Sequence, residues 1–205
     1  MDYRSVIILS ACLVLAGCMQ KRPGTAEQNE LIFSVDEKLL GDAIQDSSLQ
    51  LVFAPPKNWI RIPDLAVQAA KDQAFARAGK KRAADTAVMG KYGFRDAASN
   101  SVVLISQLAL FDTSDTSTDL ESYKKQAQKM DSSATIQTTT FFSHGLKVHQ
   151  LMVAGAQTAS FKMIFSHKSL AHVVQFDFIV PMTAYKSLVK TIESVAGSVY
   201  FIHLI

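Results

Sequence analysis

Four polar residues in the C-terminal part of the sequence could together bind a small molecule or an ion. His149, Lys162, Gln175 and Asp177 supply an imidazole, an ammonium group, an amide and a carboxylate. They fall in successive segments of alternating apolar and polar residues, and strand side chains alternate faces with period two. If two-residue turns join these segments, His149, Lys162 and Gln175 line up across three strands, with Asp177 diagonal to Lys162. This row is a candidate ligand cleft, and the alternative is a solvated or helix-covered sheet face, where charged cross-strand neighbours are also common.

Metal chemistry is not predicted, although four histidines lie towards one end of the same segments: His144, His149, His167 and His172. In the register with two-residue turns His144 and His167 come opposite each other, whereas His149 and His172 point to opposite faces. A zinc site needs three or four convergent ligands. The sequence therefore predicts edge or surface histidines, no metal site and no cofactor.

Sequence motifs for catalysis are absent. There is no G-x-S-x-G, no H-E-x-x-H and no P-loop, and the only cysteines are Cys12 and Cys18. No perturbed acid–base pair can be argued from the residue pattern. Without a nucleophile or an acid–base constellation, the sequence predicts that the protein is not an enzyme and has no catalytic residue.

The first 18 residues have the pattern of a cleavable signal. Arg4 precedes an apolar run over residues 6–15, which is too short for a helix that spans a bilayer about 30 Å thick, and the run ends in small residues. The stretch Leu15-Ala16-Gly17-Cys18 resembles the bacterial lipobox. That resemblance implies cleavage just before Cys18, which then carries a thioether-linked diacylglycerol and an N-acyl chain. The alternative is an ordinary secretory signal that contains a cysteine.

The lipobox resemblance sets the predicted domain organisation and location. Residues 1–17 form a lipoprotein signal peptide, residues 18–29 a lipidated N-terminus with a flexible polar tether, and residues 30–205 a single globular domain. Membrane lipid is the first predicted partner, through acylated Cys18. The protein would be anchored in the bacterial cell envelope and face the periplasm. In lipoproteins of enteric bacteria, an aspartate directly after the lipidated cysteine is the inner-membrane retention signal. This chain has Met19 at that position, so the outer membrane is favoured in a Gram-negative host.

Positive charge is concentrated in one segment. Residues 71–95 contain seven Lys and Arg against two Asp, a net charge of +5, while the whole chain carries only +3. Lys80, Lys81 and Arg82 follow a predicted Ala-rich helix from Asp64 to Ala78. This run could contact anionic lipid or an acidic partner protein, and the alternative is a solvated helix end. Nucleic acid is not a predicted partner, because no aromatic residues interleave with these charges and the envelope is the wrong compartment.

The elements that must position these residues begin with a four-stranded antiparallel meander from Thr135 to Val180. Two-residue turns at His144-Gly145, Gly155-Ala156 and Lys168-Ser169 would fix its register. One face is then almost wholly apolar, with Phe141, Leu146, Val148, Met152, Phe161, Met163, Phe165, Val174, Phe176 and Phe178. The opposite face carries the candidate ligand cleft.

Helices and further strands complete a predicted α+β fold, with an antiparallel sheet covered by helices. Thr118 and Glu121 have capping-box spacing, and one face of the helix that follows carries Leu120, Tyr123, Ala127 and Met130. A C-terminal helix is predicted from Thr183 to Ser198, with an apolar stripe formed by Tyr185, Leu188, Val189, Ile192 and Val195. This stripe should cover the apolar face of the meander. Upstream, the pattern predicts a short strand over residues 31–35, a helix behind Asp36, and strands at Leu49 to Ala54 and Ser101 to Leu110.

The order of these elements resembles that of PsbP-like domains, which form α/β/α sandwiches. The turn Pro56-Lys57-Asn58-Trp59 is similar to the family's P-x-G-W turn, with Asn58 in place of the glycine. The helices DLESYKKQAQKM and TAYKSLVKTIESVAGS match later elements, and the resemblance covers most of residues 48–202. It departs at residues 63–90, which are longer than the family pattern.

Two functions follow from these expectations. The resemblance implies a non-catalytic accessory or binding module for a partner protein, here an envelope protein. The alternative is a carrier of a small molecule or an ion on the polar sheet face.

Overall fold

The computed structural model describes residues 33–69, 88–109, 116–170 and 172–202. The predicted signal peptide, Cys18, the tether and the run Lys80 to Arg82 lie outside these ranges. So does the predicted helix beyond residue 69, of which residues 64–69 are helical.

A seven-stranded antiparallel sheet dominates the described residues, so the predicted mixed fold with an antiparallel sheet is confirmed. Its strands are β3 (Ile60–Arg61), β4 (Val88–Arg95), β5 (Val102–Ala109), β6 (Thr135–Ser143), β7 (Leu146–Ala154), β8 (Thr158–Ser166) and β9 (His172–Pro181). Their spatial order is β3-β4-β5-β9-β8-β7-β6. A second sheet has the order β1-β2-β10, with β1 (Ile44–Asp46), β2 (Leu51–Phe53) and β10 (Tyr200–Phe201). Besides the helical residues 64–69, the described part of the chain contains the helices α1 (Thr116–Met130) and α2 (Met182–Gly197).

The predicted meander is present as β6 to β9, and its first turn is the predicted one. Ser143 pairs with Leu146, and His144 and Gly145 have φ values of 50° and 77°. Two central residues with positive φ are what a tight hairpin turn between right-twisted strands needs.

The other two predicted turns are wrong, because both connections are longer. Ala154 pairs with Ala159 and Phe165 with Val174, so each register is displaced by two residues from the two-residue-turn prediction. A hydrogen bond from the Gly155 N–H to the Thr158 carbonyl oxygen closes the first connection. A hydrogen bond from the Leu170 N–H to the His167 carbonyl oxygen closes the second. Since a displacement of two preserves the alternation of faces, every residue still lies on its predicted face.

The apolar face of the meander forms the larger core. Phe165, Phe176 and Phe178 are almost fully buried there, and Phe53 of β2 packs edge-on against Phe176. From α2, Tyr185, Leu188, Ile192 and Val195 pack into this core. The C-terminal helix therefore covers the face that its stripe predicted.

The opposite face of the sheet is covered as well. Leu108, Leu151, Ile164 and Val173 form a second buried cluster, against which Tyr123 of α1 packs. Met130, predicted on the packed face of this helix, is 80% exposed, because it is the last residue of α1. The helical residues 64–69 lie over β4 on the same side, where a Cβ on Gly93 would come within 2.7 Å of Val67. Glycine at this position allows helix and strand to approach closely.

The N-terminal elements differ from prediction. The described part of the segment over residues 31–35 is not a strand, although Phe33 packs edge-on against Phe141. Behind Asp36 only a 3₁₀ turn forms, Glu37–Leu39, whose N-cap is the Asp36 side chain. The chain then enters β1, because Ile44 pairs with Phe53 of β2. Asn58 has a φ of 64°, so it takes the left-handed conformation that a glycine would adopt in this turn.

Candidate functional site

The four residues of the predicted cleft lie on the sheet face that α1 partly covers, but not in the predicted line. Because the registers are displaced by two, His149 and Gln175 both pair with Ile164, and Lys162 pairs directly with Asp177. Ser106 of β5 pairs with Gln175, and Thr140 of β6 with His149. The central row of this face is therefore Ser106, Gln175, Ile164, His149 and Thr140, in that order across five strands.

Lys162 and Asp177 form a largely buried ion pair beside the central row. The Lys162 Nζ donates to Asp177 Oδ1, and both side chains are less than one-fifth exposed. The second carboxylate oxygen, Oδ2, accepts a hydrogen bond from Gln175 Nε2 at 2.6 Å. Tyr123 of α1 places its ring centroid 4.3 Å from the Lys162 Nζ, a cation–π contact. These contacts hold both charges in place.

His149, predicted as an edge or surface histidine, is instead buried near the other end of the row, with only 5% of its surface exposed. Its Nδ1 is 2.9 Å from the Thr140 hydroxyl oxygen, and either atom can donate, depending on the tautomer. Burial, with a smaller contribution from the positive charge of Lys147, lowers the pKa of His149 below its ordinary value. The imidazole is therefore neutral at neutral pH, with one nitrogen a donor and the other an acceptor.

Three buried polar atoms of the central row have no hydrogen-bond partner among the described residues: Ser106 Oγ, Gln175 Oε1 and His149 Nε2. A buried polar group without a partner costs on the order of 1–3 kcal/mol, so such atoms are uncommon. Gln175 Oε1 requires a donor, since its Nε2 already donates to Asp177. A small polar molecule or an ordered water at this row would have to donate a hydrogen bond to Gln175 Oε1.

His144, His167 and His172 lie apart from this row and have contacts on the side of the small sheet. His144 stacks on Tyr200 with a centroid distance of 4.0 Å, and His167 stacks on Phe201 at 4.3 Å. His172 Nε2 is 3.3 Å from the Leu49 carbonyl oxygen. Within residues 33–69, 88–109, 116–170 and 172–202, no group of three or more His, Cys, Asp or Glu side chains could hold a metal ion.

A row of exposed residues crosses the same sheet face further along the strands. Ile60 of β3 pairs with Arg95, Arg95 with Val102, and Val102 with Ile179 of β9. Ile60 and Ile179 are 62% and 45% exposed, and Val102 is half-buried. We call Ile60, Arg95, Val102 and Ile179 the open row. Sequence analysis missed it as a site; the alternation that puts Gln175 and Asp177 on this face also puts Ile179 there, but the pairing with Ile60 requires the topology.

Two further predicted sites fall outside the described residues. They are Cys18 and the run Lys80, Lys81 and Arg82, whose flanking strand β4 contributes Lys91 and Arg95. Beside Arg95, Arg61 of β3 forms an exposed ion pair with Asp64 at 3.1 Å and lies over the Tyr92 ring. In the part of the chain that the structure describes, no helix has the length and hydropathy to cross a membrane.

Comparison with known proteins gives similarity at the level of solved structures only, since no family model and no curated protein sequence matches. The solution structure of cyanobacterial PsbP (CyanoP) from Synechocystis sp. PCC 6803 is 14% identical, over 89% of this chain and 98% of that one, with a TM-score of 0.49. The Ran-binding protein Mog1p of Saccharomyces cerevisiae is 8% identical, over 78% of this chain and 95% of that one, with a TM-score of 0.46. A point mutant of Mog1 matches with the same identity and TM-score, over 80% and 96% of the two chains.

The lowered pKa of His149 predicts a pH-dependent stability. Below the ordinary histidine pKa of about 6.5, the unfolded chain binds a proton at this position that the folded chain excludes. The contribution of neutral His149 to the free energy of unfolding is therefore present above that pH. It is lost as the pH falls from there through the folded-state pKa. Urea denaturation at pH 7.5 and at pH 5 should show a larger loss of unfolding free energy for the wild type than for His149→Gln. Equal losses in the two proteins would contradict this assignment.

Proposed function

We propose that this protein is a lipid-anchored lipoprotein of the bacterial envelope, in which a non-catalytic PsbP-like domain binds a partner protein. The lipobox resemblance supports the anchor at Cys18, and the P-x-G-W-like turn and element order support the domain type. The periplasmic side, and the outer membrane in a Gram-negative host, follow from the same signal. The observation that carries partner binding is the open row.

The open row has the composition of a protein-binding surface. Its exposed isoleucines lie in register across strands of one rigid sheet, so no local rearrangement is needed to present them together. Val102 and Ile179 are adjacent in the row, and Arg95 separates them from Ile60. Exposed apolar residues next to polar ones are a feature of interaction sites in soluble domains. Arginine is enriched at such sites, and Arg95 is part of the row.

Charge indicates what kind of partner would fit. Arg95 is exposed within the row, and the basic segment that contains Lys80, Lys81 and Arg82 is continuous in sequence with β4. A matching surface would have an apolar centre and an acidic rim. Electrostatic attraction at the rim would speed association, while apolar burial at the centre would provide most of the affinity.

A carrier of a small polar ligand is the second candidate function, and one observation favours it. The three unpartnered atoms Ser106 Oγ, Gln175 Oε1 and His149 Nε2 all lie in the central row. A ligand with hydroxyl or amide groups would satisfy them, as would ordered water. The two functions are separable, because Ser106, Gln175 and His149 are buried whereas Ile60 and Ile179 are exposed.

Lipidation of Cys18 is the first test. The intact mass of the membrane-extracted protein should correspond to a chain that begins at Cys18 and carries acyl chains. Cys18→Ala should release the protein from the membrane or block its processing, since no other mature residue can form the thioether. An unmodified N-terminus at another residue would contradict the anchor.

Partner binding at the open row is tested by affinity capture from detergent-solubilised envelope. Ile60→Asp combined with Ile179→Asp places two charges in the row, and we expect at least a ten-fold loss of the retained envelope protein, as for hot-spot residues worth about 1–2 kcal/mol or more. The fold should be retained, because both side chains are exposed. Replacing Lys80, Lys81 and Arg82 with Ser should weaken capture at low salt and have less effect at high salt, because salt screens exposed charges.

Met130→Asp is the matched control, since it places the same charge at an apolar residue that is 80% exposed but lies at the end of α1. Its capture should equal that of the wild type. If the variants of the open row also retained their partner while Gln175→Leu changed the content of a co-purified small molecule, the carrier function would replace the accessory function.

A further inference from the structure

The two edges of the seven-stranded sheet are protected to very different degrees. At one edge β3 is only two residues long and is followed by Pro63. At the other edge β6 runs for nine residues, T-I-Q-T-T-T-F-F-S, with no charge and no proline. Proteins commonly protect sheet edges with charges, prolines, bulges or short strands. β6 has none of these, and its central residues Gln137 to Thr140 are exposed.

The hairpin geometry shows which backbone groups of β6 face outward. The two-residue turn makes Ser143 and Leu146 the closing hydrogen-bonded pair, and such pairs recur at every second residue of an antiparallel ladder. The N–H and C=O groups of Ile136, Thr138, Thr140 and Phe142 therefore point away from β7. Among the residues that the structure describes, no hydrogen bond reaches these groups.

We propose that a second copy of this chain pairs with β6 in an antiparallel manner, about a two-fold axis at Thr139. In that register Thr138 is opposite Thr140 of the second copy, and Ile136 is opposite Phe142. Both are pairs of outward-facing residues, so all four sets of outward N–H and C=O groups are satisfied. A two-fold axis at Thr138 or Thr140 would leave one outward-facing residue of β6 without a partner in the second copy. An axis between two residues would place outward-facing backbone groups opposite groups that already bond to β7.

The side chains favour a copy of the same strand as the occupant. β6 carries no charge, so two copies meet without like-charge repulsion. Directly opposed Thr–Thr pairs and aromatic–β-branched pairs stabilise antiparallel strands, and this register supplies both. Opposite residues in a ladder share a face, so half-buried Ile136 of one copy extends the apolar surface near half-buried Phe142 of the other. The interface is isologous, as two-fold dimers require.

Thr139 offers a sharp test, because on the axis it meets its own copy as a close, non-hydrogen-bonded pair. Its side chain is exposed, so charge there should not disturb the fold. We would measure sedimentation equilibrium of the full-length lipoprotein in density-matched detergent over a range of concentrations. The wild type should be a dimer. Thr139→Lys and Thr139→Glu should each lower the association constant by at least about five-fold, and an equimolar mixture of the two should restore association, since opposite charges then meet.

Thr138→Pro tests the backbone directly, because it removes an outward N–H while leaving the ladder to β7 intact. It should also lower the association constant. A wild type that stays monomeric at all concentrations would overturn the proposal. That result would also be obtained if a strand of another protein, and not a second copy, occupied this edge. Unchanged dimers of the single Thr139 variants, or a mixture that does not regain association, would overturn it too.

Discussion

The pairing of β5 with β9 is the constraint on which the rest of this structure depends. It joins the meander to the N-terminal strands along eight consecutive residue pairs, from Val102 with Ile179 to Ala109 with His172. Both strands are central in the sheet, so both of their faces must be covered. α2 and the small sheet cover one face, and α1 with the helical residues 64–69 covers much of the other. Polar residues on the second face are consequently buried.

Burial explains the chemistry of the central row and its surroundings. A lysine and a carboxylate removed from water are retained only when they pair closely and their remaining hydrogen-bonding groups are occupied. Lys162 and Asp177 meet that condition through Gln175 and Tyr123. Ser106 Oγ, Gln175 Oε1 and His149 Nε2 lack such partners among the described residues, and this observation is the basis of the second candidate function. Where cover ends, the same face exposes Ile60 and Ile179. One sheet face thus provides both candidate sites.

The sequence predicts which face of the meander each residue lies on, but it does not predict the register between the strands. Alternation assigned Phe161, Phe176 and Gln175 to the faces that they occupy, because period two survives a displacement of two residues. The turn at His144-Gly145 was predictable, since it contains a glycine that tolerates positive φ. The connections at Gly155 and Lys168 were not, because hydrogen bonds that close longer loops leave little trace in composition.

Pairing between strands that are far apart in the sequence determines features that local sequence patterns do not predict. Gln175 resembles a solvated residue in sequence but is 3% exposed, because it lies on a central strand of the sheet face that α1 and residues 64–69 cover. Ile44 falls at helical spacing behind Asp36 but pairs with Phe53 as a strand. The open row unites residues from β3, β4, β5 and β9, so it exists only once the sheet is assembled. The proposed anchor at Cys18 rests on the lipobox-like sequence, whereas the proposed partner binding rests on the open row of this sheet.

The central claim is that the polar residues of the second face are buried and paired in the observed register. A double-mutant cycle with Lys162→Met, Asp177→Leu and the double variant, followed by urea denaturation, measures this most directly. Each single variant should be strongly destabilised, by roughly 3–5 kcal/mol, because it leaves a buried charge without its ion-pair partner, and the double variant should recover most of that loss. The coupling energy should therefore exceed about 1 kcal/mol. Additive effects of the two substitutions would show that Lys162 and Asp177 are solvated and separate, and would contradict both the register and the burial of this face.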